Sequence, residues 1–130
     1  MEDRAEILGV IARLAHVGDR EDLDEYSRLY TDDATWEYSS SIAHGSAAII
    51  ANARVARDGG RVGPDSGVRH VITTTSVVFA ATDVAEADSY ILVYATTTSP
   101  PTLRSMVRYH DTLRRLPDGW RVAHRKITPA

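Results

Sequence analysis

One histidine stands out for the chemistry its position would permit. His70 lies near the start of "GVRHVITTTSVVF", residues 67–79, a run rich in β-branched residues that follows the Gly/Pro-containing "DGGRVGPDSG". Such a run reads as a β-strand. Alternate residues of a strand share a face, so the spacing predicts His70 on the same side as Val68, Ile72, Thr74 and Val78. A titratable ring on a mostly apolar face is either a hydrogen-bonded core residue or a base aimed into a pocket. A neutral imidazole takes up a proton near neutrality. To act as a base it needs one nitrogen free and the other held. A buried carboxylate on the far nitrogen would fix the tautomer and stabilise the imidazolium that forms. His16, His44, His110 and His124 belong to no comparable motif and are expected to be solvated or structural. The chain has no cysteine, which removes disulfides, thiolate nucleophiles and thiolate metal sites. No Asp/His pair sits at helical metal spacing, so no metal site is expected.

The elements that must carry such a ring follow from periodicity. In "DRAEILGVIARLAHV", residues 3–17, Ile7, Leu8, Ile11, Leu14 and Ala15 form one apolar stripe of a helix, with Gly18 as its stop. Asp22 with Glu25 resembles a capping box opening a short second helix, whose inner side carries Leu23, Tyr26, Leu29 and Tyr30. "DDATWEYSS" reads as a short strand with Trp36 and Tyr38 on one face. "GSAAIIANARVAR", residues 45–57, is a third helix with Ile49, Ile50 and Ala53 inward. The period then changes to two, with strands expected at about 69–80, 85–97, 105–116 and 119–128 and a tight turn at "LPDGW". Helices first and a strand meander after them predict an α+β fold: a curved, cone-shaped antiparallel sheet with three helices packed on its concave face, enclosing a pocket.

Composition bounds the function classes. A chain of 130 residues with 43% hydrophobic and 25% charged residues fits one compact domain over 1–130. No apolar run is long enough to span a bilayer, and "MEDRAE" does not resemble a signal peptide, which points to the cytoplasm. The net charge of -3 argues against nucleic acid as a partner. Acidic residues crowd the first third and basic ones the last quarter, and these are expected to neutralise one another within the fold or across a dimer.

Four segments in order, "HVGDREDLDEYSRLYTDDATWEY", "GSAAII", "RHVITTTSVVF" and "RYHDTLRRLPDGWRVAHRKI", resemble the SnoaL-like branch of the nuclear-transport-factor-2-like superfamily. Within it the chain looks like the group containing scytalone dehydratase, the hexachlorocyclohexane dehydrochlorinase, bile-acid dehydratase and the small subunits of ring-hydroxylating dioxygenases. The resemblance implies an Asp–His dyad, with the aspartate just after the first helix and the histidine at the start of the first long strand. Asp19 in "HVGDRED" and His70 match those positions. It also implies a carbonyl-polarising tyrosine on the short strand, matched by Tyr38, a tryptophan there, matched by Trp36, and an arginine on the last strand, matched by Arg125. Two departures set the chain apart from scytalone dehydratase: Gly18 replaces the tyrosine before the aspartate, and "YILVYATTTS" lacks that enzyme's second histidine.

These positions imply a coherent reaction. Proton abstraction beside a carbonyl calls for donors to the developing negative charge. Tyr38 and Tyr109 could supply hydrogen bonds, and Arg125 a positive charge or help to a leaving group. Trp36 would hold a ring and exclude water. No metal or organic cofactor is required. The expectation is a cofactor-independent lyase of the dehydratase type acting on a hydrophobic ring-containing molecule. An isomerase or cyclase of a polyketide, terpenoid or steroid, a non-catalytic ligand carrier and an oxygenase-bracing subunit stand as alternatives. Arg125 could instead belong to a surface or interface ion pair. The family implies a homodimer or higher homo-oligomer.

Overall fold

The computed structural model describes residues 2–130; Met1 lies outside them. Helix α1 spans Glu2–Arg20, followed by a 3₁₀ segment at Leu23–Arg28, strands β1 (Tyr30–Tyr38) and β2 (Ser41–His44), and helix α2 (Ser46–Asp58). Four long strands complete the chain: β3 (Val68–Ala81), β4 (Val84–Ala95), β5 (Thr102–Leu116) and β6 (Gly119–Pro129). The six strands form one sheet in the order β2-β1-β6-β5-β4-β3, which is open and not closed into a barrel. Helices on one face of a sheet match the expected α+β class.

Three features differ from the expectation. The sheet is mixed, because β1 runs parallel to β6 while every other pair is antiparallel. Which distant strand would receive β1 is a tertiary decision that local periodicity does not carry. The second helix is 3₁₀, capped by Asp22 accepting from the Asp24 amide at 3.0 Å. Lastly, α1 does not stop at Gly18. A Cβ there would stand 2.7 Å from the Tyr26 hydroxyl. This glycine therefore allows a close approach between helix and 3₁₀ segment, and Asp19 falls in the last turn of α1 rather than after it.

The core lies between helices and sheet. On α1 it takes Ile7, Val10, Ile11, Leu14 and Val17, while Leu8 points outward. From the sheet it takes Ala85, Ala87, Leu113 and Val122. Burying an aliphatic side chain of this size stabilises by roughly 1.5–3 kcal/mol. On β3 the alternation predicted from sequence holds only up to Ile72. The register against β4 shifts between Thr73 and Ser76, with Thr74 at φ +41°. One extra residue in the strand reverses the parity, so Val77 is buried and Thr74 and Val78 face outward. His70 lies before the bulge and keeps its inward direction. Acidic and basic segments meet within the fold: Asp3 pairs with Arg115 and Asp33 with Arg114. Among the described residues, no helix is long and apolar enough to cross a membrane.

Candidate active site

Between the helices and the inner face of the sheet lies a cavity of about 480 Å³. Leu14, Ala15 and Gly18 of α1, Leu23 and Tyr26 of the 3₁₀ segment, and Ile49, Asn52 and Ala53 of α2 form one wall. Trp36, Tyr38, His70, Tyr109 and Arg125 form the other. The volume suits a small organic molecule, and the lining is mostly apolar with a few polar groups, as is usual for ligand sites.

Asp19 and His70 meet in this wall. The ring Nδ1 of His70 lies 2.6 Å from Asp19 Oδ1, and the backbone N–H of His70 donates to Asp19 Oδ2 at 2.8 Å. Asp19 is 5% exposed. A carboxylate accepts and does not donate, so the Nδ1 proton belongs to the ring and Nε2 keeps its lone pair. Nε2 has no hydrogen-bond partner among the described residues, and the ring lines the cavity. A base needs this arrangement of one nitrogen held and one free.

The carboxylate is placed by helix capping. Arg57 of α2 donates to the carbonyls of Val17 (3.0 Å), Gly18 (3.0 Å) and Glu21 (2.8 Å) at the end of α1. The Val17 carbonyl also accepts from the Glu21 amide at 3.1 Å, and the positive charge complements the negative end of the helix dipole. Gly63, at φ +98°, is needed beneath it, because a Cβ there would lie 2.6 Å from Arg57 Cγ.

The other expected residues also line the cavity. Trp36 and Tyr38 share a face of β1 and meet edge to face at 6.3 Å. Tyr38 is 46% exposed, which puts it at the mouth. Tyr109 and Arg125 are buried, with the guanidinium 4.3 Å from the centre of the Tyr109 ring. Burial pushes the Tyr109 hydroxyl up to about 12, partly offset by the nearby Arg125 charge. Arg125 does form an ion pair, but inside the chain and at the cavity wall, with Asp111 across β5 and β6. Burial disfavours its charge, and the Asp111 carboxylate together with Tyr30 and Tyr109 more than offsets this, holding Arg125 well above its ordinary range.

Sequence reasoning missed Asp111 and Asn52; Tyr26 and Tyr30, expected on the inner side of the second helix, are inward and also line the cavity, with Tyr30 at the start of β1. Alternation along β5 could have found Asp111, since Tyr109, Asp111 and Leu113 share a face. Three of the remaining histidines make structural contacts, His44 with Thr35, His110 with Asp88 and His124 with Glu37, and His16 is exposed. No group of three or more His, Asp or Glu side chains is arranged to hold a metal ion among the described residues.

An open mixed sheet, helices on one face and a cavity between them define a small α+β protein of the ligand-cavity type. The chain belongs to the SnoaL-like domain family, which it matches over residues 1–126. No curated protein matches its sequence. Among solved structures it resembles a protein of unknown function with a cystatin-like fold from Nostoc punctiforme. The TM-score is 0.86 and the identity 21%, covering 98% of this chain and 91% of that one. It also resembles an NTF2-like protein with a cystatin-like fold from Novosphingobium aromaticivorans, with a TM-score of 0.78 and 26% identity over 98% and 82% of the two chains. A third is ActVI-ORFA from Streptomyces coelicolor, with a TM-score of 0.82 and 25% identity over 97% and 96%.

Proposed function

We propose that the protein is a cofactor-independent lyase of the dehydratase type acting on a hydrophobic, ring-containing small molecule. His70 is the general base and returns the proton as acid. Asp19 orients it. Tyr38, Trp36, Tyr109 and Arg125 bind and polarise the substrate. The observation that carries this reading is the double hydrogen bond from His70 to one buried carboxylate, with Nε2 left free at the cavity wall. A histidine needed only for packing has no use for a free nitrogen in a cavity of that size. Membership of the SnoaL-like family is in keeping with a small-molecule site.

Proton abstraction beside a carbonyl would proceed through Nε2, with the imidazolium stabilised by Asp19. Hydroxyl and guanidinium donors would meet the charge developing on the carbonyl oxygen. An isomerase or a cyclase begins with the same step and differs in what the substrate does next. The reading takes residues 1–130 as one cytoplasmic domain. It also includes a homodimer through the outer sheet face, where Val71 and Met106, on either side of Leu92, are 43% and 48% exposed. Sedimentation should show a dimer that Met106→Asp weakens; a monomeric wild type would remove this part.

The test is a screen of ring-bearing carbonyl compounds in deuterated water, reading deuterium uptake and elimination products. The expected result is turnover that His70→Ala and Asp19→Asn each lower by roughly 10²-fold or more while the fold is kept. Equal turnover in wild type and both variants removes the dyad from the mechanism. Tight binding with neither exchange nor product identifies a ligand carrier instead, and stable co-purification with a larger chain identifies a bracing subunit.

A further inference from the structure

Behind Arg125, which lines the cavity, lies a second buried carboxylate, Asp111, that the acid–base step does not use. Two parallel bonds tie it to Arg125: Nε to Oδ1 at 2.7 Å and Nη2 to Oδ2 at 2.9 Å. Asp111 is wholly buried and Arg125 is 5% exposed. A guanidinium engaged in this way is not a bare positive charge. Its field inside a low-dielectric cavity is reduced by the carboxylate beside it, while its outward N–H groups still donate. An anionic group placed against Arg125 would lie in the field of Asp111 and of Asp19, which act on the neighbouring Tyr109. Both carboxylates are close enough to oppose ionisation of Tyr109, which touches Arg125.

Uncharged donors converge at the same place. The remaining N–H groups of Arg125 have no acceptor among the described residues. Tyr30 and Tyr109, which also line the cavity, are 2% and 9% exposed, and their hydroxyls have no hydrogen-bond partner there either. These donors open onto the cavity, so a ligand that displaces water there must supply an acceptor in its place. A carbonyl or hydroxyl oxygen on a ligand supplies one and adds no charge to a wall that is already balanced. A carboxylate would be desolvated beside two others.

We propose that Asp111 determines ligand specificity: by neutralising Arg125 it makes this wall a subsite for an uncharged oxygen of the ligand and excludes a carboxylate. The inference rests on the reading of the cavity as a site for a ring-bearing molecule, and not on the proton transfer.

Two probes with one ring system test it: 2-naphthol, neutral at pH 7, and 2-naphthoate, an anion there. Binding is read by calorimetry on wild type, on Asp111→Asn, and on the double variant Arg125→Met/Asp111→Leu. Circular dichroism reports folding. The wild type should prefer 2-naphthol by about tenfold or more, and Asp111→Asn should abolish or reverse that preference by exposing an unpaired guanidinium. The double variant replaces the pair with apolar groups of similar size and should lose the preference by weakening 2-naphthol. It decides the matter if Asp111→Asn does not fold. A wild type that binds 2-naphthoate as tightly as 2-naphthol overturns the proposal. So does a folded Asp111→Asn, or a double variant, that keeps the wild-type ratio. Failure of both probes to bind wild type overturns the ring-ligand reading and this inference with it, whereas binding with the wrong ratio overturns the role of Asp111 alone.

Discussion

His70 and Asp19 are 51 positions apart, yet two bonds join them. One comes from the ring and one from the backbone, so the same carboxylate places the strand and sets the tautomer. Nitrogen-15 spectra near pH 8, where a free imidazole is neutral, should show His70 with its proton on Nδ1; a proton on Nε2 would contradict the geometry. Asp19→Asn should cost about 1–3 kcal/mol of stability in urea unfolding, because a neutral amide replaces a buried ionic acceptor. The inward direction of His70 was legible from alternation. Asp19 came only from the family resemblance, since nothing local distinguishes it from its acidic neighbours Glu21 and Asp22. The backbone bond was not legible, as it depends on how the end of α1 docks on β3.

At the level of elements, capping and register decide where these side chains lie. Arg57 binds three carbonyls at the end of α1. Arg57→Met should lower stability by about 1–3 kcal/mol and speed hydrogen exchange at the amides of the last turn of α1. Unchanged exchange would show that this helix end is held by other contacts. The outer sheet face carries a pH-dependent contact. His110 of β5 is raised above its ordinary value, chiefly by its hydrogen bond to Asp88 and against the cost of burial, with Glu86 adding to it. Arg108 beside it on β5 and Lys126 opposite on β6 are the facing positive groups. A raised histidine stabilises fully below the unfolded value of about 6.5, and the contribution is lost as pH rises through the higher folded value. The loss of stability across that interval should therefore be smaller in His110→Gln than in wild type. A His110 titration at or below the ordinary value would remove the effect. Helix and strand identities in this layer were readable from periods of 3.6 and two. The bulge at Thr74 was not, because a single inserted residue leaves no mark on a β-branched run, and it inverted the predicted facing of Val78.

For the whole molecule, the buried Arg125–Asp111 pair joins β5 to β6 at the cavity wall. Breaking it by Arg125→Ala leaves a fully buried carboxylate without its partner and should cost about 3–5 kcal/mol, measured by urea unfolding. A loss below about 1 kcal/mol would mean that water or another cation reaches Asp111. By itself the sequence determined the α+β class, both long helices and the four long strands, because these depend on the spacing of apolar residues along a few turns or strand steps; the short β2 left no such pattern. The sequence also excluded thiolate chemistry, because there is no cysteine to offer. Only the tertiary structure decided that β1 joins β6 in parallel, that α1 runs on through Gly18 to bring Asp19 to His70, and that Asp111 neutralises Arg125. Each of these is a contact between segments far apart in the chain, chosen by how whole surfaces fit together, and no local window of residues contains that information.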